Sequence, residues 1–185
     1  MPSLTPSEIK EIISRFPDNM VKFDNFLETG TYHGQTILGV ENLFTRLHTI
    51  ELGEDLYNEV ISKYNGDKIS FYLGDTTKVL KGILHTMDNT VFFLDSHWSC
   101  GDTVKGEKDV PLLDELELIF KKFKKNAILI INDYRLFNGK DEFVDWKDIS
   151  LTSVMKRLHG RILSQYFMAS ELSPKDRLII NIKSL

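Results

Sequence analysis

Two apolar segments of the sequence each stop at residues that could do chemistry. The first stops at Asp95, with His97 close behind it, and the second stops at the pair Asn132 and Asp133. Because ligands bind at the carboxyl ends of the strands in an open parallel sheet, we expect these side chains to surround one small volume. Carboxylate and amide oxygens suit a hard divalent cation, and an imidazole that titrates near neutral pH suits proton transfer. The sequence therefore predicts an enzyme.

The composition is that of an ordinary globular protein. The chain has 185 residues, of which 42% are hydrophobic and 27% are charged, so we expect residues 1–185 to form a single domain with a substantial core. The formal net charge of -4 argues against a nucleic-acid partner, because proteins bind nucleic acids largely by neutralising phosphates.

The cellular location can also be predicted. Cys100 is the one cysteine, which excludes an intrachain disulfide and indicates a reducing compartment. The sequence contains no apolar stretch of the length that a membrane span needs, and its first residues lack the pattern of a signal peptide. A cytoplasmic protein without a membrane partner is therefore expected.

Helical and strand patterns alternate along most of the chain. An amphipathic helix lies within residues 1–16, with Ser7 as its expected cap. The alternation that follows indicates right-handed crossovers and a parallel sheet. The predicted strands cover residues 24–29, 47–51, 68–73, 90–95 and 127–132, and the predicted helices cover residues 34–45, 54–64, 76–85 and 111–122.

The C-terminal part departs from this alternation. Residues 161–170 and 177–183 both have strand patterns, and the connection of 171–176 is too short for a crossover helix. The two strands should therefore pair antiparallel as a hairpin. The predicted fold is α/β, a Rossmann-like, doubly wound sheet of seven strands that is mostly parallel and has an antiparallel C-terminal strand.

Two long irregular stretches follow the candidate chemical residues. They cover residues 96–110 and 134–148 and are rich in polar and charged residues. Long loops in compact domains often cover active sites or contact substrates, so we expect active-site loops here. A surface insertion without a role is the alternative.

A glycine-containing turn joins the first predicted strand to the next helix. It differs from the dinucleotide fingerprint and lacks the lysine of a P-loop, so a phosphate cradle is disfavoured. Gly30 would let a ligand approach the backbone, and Gly34 would allow close packing where the helix begins. Glu28 would repel a pyrophosphate and attract a cationic group such as an ammonium.

Acidic residues also end the next two strands. Glu51 ends the second strand and could accept hydrogen bonds from both hydroxyls of a ribose, or be a plain surface carboxylate. Asp75, which follows Gly74, could accept from the exocyclic amine of adenine, or simply cap the next helix. Taken in order, these residues describe a site for an adenosine that carries an amino acid.

This ordered set resembles the motifs of class I S-adenosylmethionine (SAM)-dependent methyltransferases. The turn from Glu28 to Gly34 is similar to their acidic-x-Gly-x-x-x-Gly loop, Glu51 to their ribose-binding acid, and Gly74-Asp75 to their adenine-side motif. The resemblance covers nearly the whole chain and implies that SAM is the cofactor. The residues that it implies for SAM binding are Glu28, Thr29, Gly30, Thr31, Gly34, Glu51, Leu52, Gly74, Asp75 and Thr76.

The second half most resembles the metal-dependent sugar O-methyltransferases of the macrocin and mycinamicin type. That resemblance implies that Asp95, Asn132 and Asp133 hold Mg²⁺ or another divalent cation, with Asn132 where relatives often carry an acid. It also implies that Asp95 is catalytic and that His97 is the general base; a metal ligand, a substrate contact and a structural residue are the alternatives for His97. A zinc site that includes Cys100 is disfavoured, because no second Cys/His pair lies nearby.

The expected activity is therefore a divalent-metal-assisted transfer of a methyl group from SAM to a hydroxyl of a sugar, glycan or other small polyol. A cation would orient neighbouring oxygens and stabilise the alkoxide. A homo-oligomer is compatible with the sequence. One alternative is a small-molecule methyltransferase that uses no metal, and another is a catalytically inactive methyltransferase-like binding domain in a glycan-assembly complex.

Overall fold

A seven-stranded sheet with helices on both faces makes up the structure, a computed structural model that describes residues 3–139 and 141–185. The strands are β1 (Asn25–Thr29), β2 (Arg46–Glu51), β3 (Ile69–Leu73), β4 (Thr90–Leu94), β5 (Ala127–Ile131), β6 (Ile162–Met168) and β7 (Arg177–Ile182). The helices are α1 (Pro6–Ser14), α2 (Gln35–Gly39), α3 (Glu54–Ser62), α4 (Thr76–Ile83), α5 (Leu112–Lys122) and α6 (Leu151–Arg157). Short 3-10 helices cover Glu41–Leu43, Leu84–Thr86 and Tyr134–Leu136.

The strand order is β3-β2-β1-β4-β5-β7-β6, and it confirms the predicted fold class. The five strands from β1 to β5 are parallel, whereas β7 runs antiparallel to both of its neighbours, β5 and β6. The chain builds outward from β1 in one direction and then continues from β4 in the other. A reversal of this kind opens a crevice above the carboxyl ends of the central strands, where α/β proteins bind ligands.

Apolar cores cover both faces of the sheet. Successive side chains of a strand point to opposite faces, so Leu129 and Ile180 pack with residues of α4, α5 and α6, whereas Ile128 and Ile179 pack with residues of α1 and α2. Every residue of β5 and β7 is buried as a result. The central strands are therefore held from both sides, and their carboxyl ends are fixed supports for a site.

The start of α1 differs from the prediction. Thr5, not Ser7, caps the helix: its Oγ1 accepts from the Glu8 backbone N–H at 3.3 Å, and Glu8 Oε2 accepts from the Thr5 backbone N–H at 2.8 Å. Pro6 occupies the first helical position, where a missing N–H costs nothing. The Thr-x-x-Glu capping box therefore prevails over the later serine.

Two other helices also differ from the prediction. The helix predicted over residues 34–45 is shorter, since α2 ends at Gly39 and a 3-10 turn leads into β2. The helix α6 was not predicted, although Ser150 and Ser153 cap it reciprocally at 3.0 and 2.9 Å. Among the described residues, we find no helix with the length and apolar character that crossing a membrane requires.

Candidate active site

The carboxyl ends of the parallel strands bring most of the predicted residues to one edge of the sheet. Gly30 follows β1, Glu51 ends β2, Asp75 follows β3, Asp95 follows β4, and Asp133 follows β5. Their positions above the point where the strand order reverses are those that the sequence predicts.

The turn after β1 packs tightly against the end of β4. Gly30 has a φ of +83°, and a Cβ there would lie 2.5 Å from the backbone carbonyl oxygen of Asp95, so only glycine fits. Gly34 has a φ of +76° at the start of α2, where a Cβ would lie 2.6 Å from Val60 Cγ1. The close packing at Gly34 is as predicted. At Gly30, where a ligand was expected to approach the backbone, the atoms that lie close belong to Asp95 and Ser96 of the chain.

Glu51 is buried, so the alternative of a surface carboxylate is wrong. Its Oε2 accepts from the Tyr32 backbone N–H at 2.9 Å, and its Oε1 accepts from the Gly53 backbone N–H at 2.8 Å. The carboxylate therefore ties the turn after β1 to the end of β2.

Asp75 caps α4, as one of its two predicted roles requires. It accepts from the backbone N–H groups of Thr77 at 2.9 Å and Lys78 at 3.2 Å. Burial raises the pKa of Asp75, but these hydrogen bonds and that of the Thr77 hydroxyl outweigh burial and hold the pKa below its usual value. Asp75 is thus an anion that also lines the cavity described below.

Glu28 lies deeper than its predicted role suggests. It is fully buried and accepts from Thr49 Oγ1 at 3.0 Å, and burial raises the pKa of Glu28 well above its usual range. The charged form is therefore less favoured than in water, and the expected attraction for an ammonium is weakened. Glu28 and Thr31 line a small cavity beside Gly30 and Asp95.

One cavity, with about 810 Å³ of empty space, connects the nucleotide-side residues to the predicted chemical residues. It reaches Glu51 and Asp75 from one group and Asp95 and His97 from the other. Its apolar lining comes from the end of β2, from α3 and from the loop of residues 96–110, namely Ile50, Leu52, Leu56, Trp98 and Val104. Apolar walls with a few polar groups at one end are typical of small-molecule sites.

The two predicted loops contribute differently. The loop of residues 96–110 supplies much of the cavity lining, including Trp98, Thr103 and Gly106. No described residue of the stretch 134–148 lines that cavity. Instead, Trp146 packs its ring edge-on against His97, with 5.0 Å between ring centroids, and lines a smaller cavity behind it. The second stretch therefore supports His97 from the core.

Asp95, His97 and Asp133 form a compact cluster. Each offers one ligand-type atom, and these atoms all lie within 4.8 Å of one another. His97 Nδ1 lies 3.6 Å from Asp95 Oδ1, and His97 Nε2 lies 3.1 Å from Asp133 Oδ2. The exposed fraction of the Asp133 side chain is 1%, and that of the His97 side chain is 7%.

Burial shapes the charges in this cluster. Burial, together with the nearby carboxylate of Asp133, raises the pKa of Asp95 well above its usual range. Burial also lowers the pKa of His97, although Asp133 opposes the shift. Arg135 Nη1 donates to Asp133 and to both oxygens of Asp176, at 2.7 and 2.9 Å. Asp133 is thus paired with an arginine, whereas the raised pKa of Asp95 means that its charged form is less favoured than in water.

Asn132 contacts Asp95 through its amide nitrogen. Its Nδ2 donates to Asp95 Oδ1 at 3.2 Å. Within the described chain, the buried atoms Asn132 Oδ1 and Asp133 Oδ2 lack a hydrogen-bond partner. Buried oxygens without partners are costly, so a ligand or ion that contacts them would be stabilised. The chemistry of this donor set fits a divalent cation.

Comparisons with known proteins bear on the fold. No protein-family model matches the sequence, and neither does any curated protein. SMU.1697c of Streptococcus mutans, described as a methyltransferase and solved with S-adenosylhomocysteine (SAH), is similar over 97% of this chain and 98% of its own, with 16% identity and a TM-score of 0.64. The N-methyltransferase NodS of Bradyrhizobium japonicum WM9 is similar over 97% of both chains, with 12% identity and a TM-score of 0.59. The chain has the fold of SAM-dependent methyltransferases.

A third structure places a methyltransferase-fold protein in a complex. It contains the Trm112 methyltransferase activator of Haloferax volcanii together with a methyltransferase. The similarity covers 96% of this chain and 88% of that chain, with 12% identity and a TM-score of 0.64. A fold does not by itself identify an acceptor, so the acceptor must be argued from the site.

One residue that supports the candidate site, Glu115, was not predicted from the sequence. Glu115 is buried on α5 and accepts from Ser96 Oγ at 2.7 Å. Burial raises the pKa of Glu115, and hydrogen bonds from Thr76, Ser96 and Thr29 offset that effect only partly. A lone acidic residue on the apolar face of an amphipathic helix was the signal, because Leu112, Leu116 and Ile119 lie on the same face.

Glu115→Gln is expected to stabilise the protein at neutral and basic pH. Because the pKa of Glu115 is higher in the folded state than in the unfolded state, protonation of this carboxyl stabilises the fold. The stabilisation is complete at pH values below the unfolded-state pKa and is lost as the pH rises through the folded-state pKa. Glutamine keeps an acceptor for Ser96 and does not titrate. The gain in unfolding free energy should therefore be larger at pH 8 than at pH 5, by on the order of 1 kcal/mol, in urea denaturation.

Glu117→Gln is the matched control for this experiment. Glu117 lies on the same helix but is only half-buried and is ion-paired with Lys121, which lowers the pKa of Glu117. This variant should show no gain that grows with pH. An equal gain at both pH values for Glu115→Gln would contradict the proposed burial effect.

Proposed function

We propose that this protein transfers the methyl group of SAM to a hydroxyl of a sugar, glycan or other small polyol, with the help of a divalent cation. The observation that supports it is the single cavity that joins Glu51 and Asp75 to Asp95 and His97. A nucleoside held by the first pair would leave its sulfonium end near the second pair. The likeness of the fold to SAM-dependent methyltransferases supports the choice of methyl donor.

The cofactor contacts that we propose are those that line this cavity. They are Gly30, Glu51, Leu52, Asp75 and Thr76. Glu51 already accepts two backbone hydrogen bonds, but a carboxylate has further lone pairs for the two ribose hydroxyls. The remaining predicted residues support the site from further away. Glu28 and Thr31 line the adjoining small cavity, Thr29 accepts from the Asp95 backbone N–H, Gly34 precedes α2, and Gly74 lies between β3 and α4.

The acceptor hydroxyl would lie beside the acidic cluster. Asp95 and Asp133 would hold the cation, which supplies charge stabilisation for the developing alkoxide when it is bound. Asn132 would orient Asp95 through its amide nitrogen. The carbon–sulfur bond of SAM breaks as the new carbon–oxygen bond forms, SAH leaves, and the hydroxyl proton passes to a neighbouring base or to water. Trp98 and Val104 would help to exclude bulk water.

The direct test combines calorimetry with a transfer assay. We expect SAM to bind without added metal, and labelled methyl to appear on an oxygen of a glycoside in a panel of sugars, polyols and amino sugars. EDTA should abolish this transfer, and added divalent ions should restore it, because the cation stabilises the transition state.

Each failure in this test has a distinct meaning. Full turnover in EDTA would contradict the role of the metal and leave a metal-independent methyltransferase. Methylation of a nitrogen would contradict the proposed acceptor atom. Absence of SAM binding would contradict the methyltransferase proposal as a whole and favour a binding domain without catalysis.

A further inference from the structure

We propose that His97 is a ligand of the cation together with Asp95 and Asp133, and that the site therefore prefers a first-row transition ion such as Mn²⁺ or Zn²⁺ to Mg²⁺. This inference rests on the proposed function for the presence of a cation. It changes the ligand set that the sequence resemblance implies, because an imidazole nitrogen takes the place given there to Asn132.

The positions of the ring nitrogens support this assignment. Both nitrogens of His97 face carboxylates, at 3.6 Å from Asp95 Oδ1 and 3.1 Å from Asp133 Oδ2. Asp133 Oδ2 is buried and has no hydrogen-bond partner within the described chain, despite its short distance from Nε2. A cation among these atoms would give the orphaned oxygen a partner and would offset the repulsion of the two carboxylates.

Asn132 is placed as a positioning residue. The atom that contacts Asp95 is its Nδ2, and an amide N–H donates a hydrogen bond but cannot coordinate a cation. The buried Oδ1, which has no partner among the described residues, would then accept from a water bound to the cation. This contact orients Asp95 Oδ1, the oxygen that lies near His97. Second-layer contacts of this kind commonly fix the direction of a ligating carboxylate.

Arg135 orients Asp133 in the same way. It binds Oδ1 of Asp133, so that Oδ2 remains available on the side of His97. Asp176 holds the guanidinium in place at 2.7 Å. Because the guanidinium is shared with Asp176, its main effect on Asp133 is to fix the direction of Oδ2.

The donor set itself then determines the class of ion. Mg²⁺ binds oxygen donors and retains several waters, whereas imidazole nitrogen suits Zn²⁺ and other first-row ions. Three protein ligands with an open position are the usual arrangement of catalytic transition-metal sites. We therefore expect affinities to increase from Mg²⁺ to Mn²⁺ to Zn²⁺.

Pulsed electron paramagnetic resonance of Mn²⁺ bound to the full-length protein tests the ligand role directly. We expect electron spin echo modulation from a coordinated ¹⁴N nucleus in the wild type and its loss in His97→Ala. His33→Ala is the matched control, because His33 also lies between two carboxylates, 3.0 Å from Glu59 and 3.6 Å from Asp102, but is more exposed. The control should retain the modulation.

Competition between ions tests the selectivity. In the wild type, we expect the affinity for Mg²⁺, measured by displacement of Mn²⁺, to be at least tenfold lower than the affinity for Mn²⁺. In His97→Gln, the difference between the two affinities should fall to about threefold or less. Circular dichroism of each variant shows whether it is folded. If neither variant of His97 folds, the ¹⁴N modulation of the wild type and of His33→Ala still decides the question.

Three results would each contradict a different part of this proposal. Bound Mn²⁺ without nitrogen modulation would overturn the ligand role and leave His97 for the general-base role that the sequence resemblance implies. Equal affinities for Mg²⁺ and Mn²⁺ would overturn the selectivity. Absence of saturable binding of either Mn²⁺ or Zn²⁺ would overturn this inference and the metal part of the proposed function, whereas SAM binding and methyl transfer would still be measurable separately.

Discussion

Glu51→Ala is expected to lower the affinity for SAM at least a hundredfold. The substitution removes the acceptor proposed for the two ribose hydroxyls, and it also removes the bonds that fix the Tyr32 and Gly53 backbone at the cavity. Hydrogen bonds to a charged group contribute about 1.5–3 kcal/mol each, so the loss of two such bonds exceeds a factor of one hundred. Isothermal titration calorimetry with SAM and with SAH measures the change.

Glu54→Ala is the matched control for this variant. Glu54 lies three positions further on, at the exposed start of α3, and it does not line the cavity. Its removal should leave the affinity for SAM within about a factor of three, which corresponds to well under 1 kcal/mol. A similarly small effect for Glu51→Ala would rule out Glu51 as the residue that binds the ribose.

Asp95→Asn is expected to reduce methyl transfer about a thousandfold while the affinity for SAM changes little. Asparagine has nearly the same shape and retains an oxygen that can accept from Asn132 Nδ2. It lacks the negative charge that the proposed cation requires, so the stabilisation of the alkoxide is lost. About 4 kcal/mol of barrier corresponds to this factor, which is in the range of electrostatic contributions to catalysis.

The measurement is the single-turnover rate at saturating SAM and metal. Asp88→Asn serves as the control because Asp88 precedes β4 at the opposite edge of the sheet and is exposed. That variant should transfer methyl at the wild-type rate. Retention of more than about a tenth of the activity by Asp95→Asn would mean that Asp95 is neither a metal ligand nor an essential acid or base.

The fold could be predicted because its signals are local. Strand and helix patterns alternate up to residue 132, and the short connection at residues 171–176 forces the last two strands into an antiparallel pair. The acidic residues at the strand ends then locate the site, since the carboxyl ends of parallel strands all lie at the same edge of the sheet. The close packing predicted at Gly34 is present, whereas at Gly30, where a ligand was expected to approach, the backbone of Asp95 comes close instead.

The roles of individual side chains could not be predicted in the same way. The orientation of Asn132 depends on which of its two amide atoms meets Asp95, and that is a property of the folded site. The position of His97 depends on Trp146, which arrives from a distant stretch of chain. Glu115 was overlooked because its helix reads as amphipathic with or without a buried acid. Long-range packing decides each of these cases.

The position of β7 has a consequence for how the protein is made. This strand follows β6 in sequence but lies inside the sheet, between β5 and β6, and Asp176 at its start holds both Arg135 and the Tyr134 backbone N–H. While the chain emerges from a ribosome, β5 has no partner on that side until residues 177–182 have been synthesised. The ion pair that holds Arg135 beside Asp133 therefore forms only after Asp176 and β7 have been synthesised.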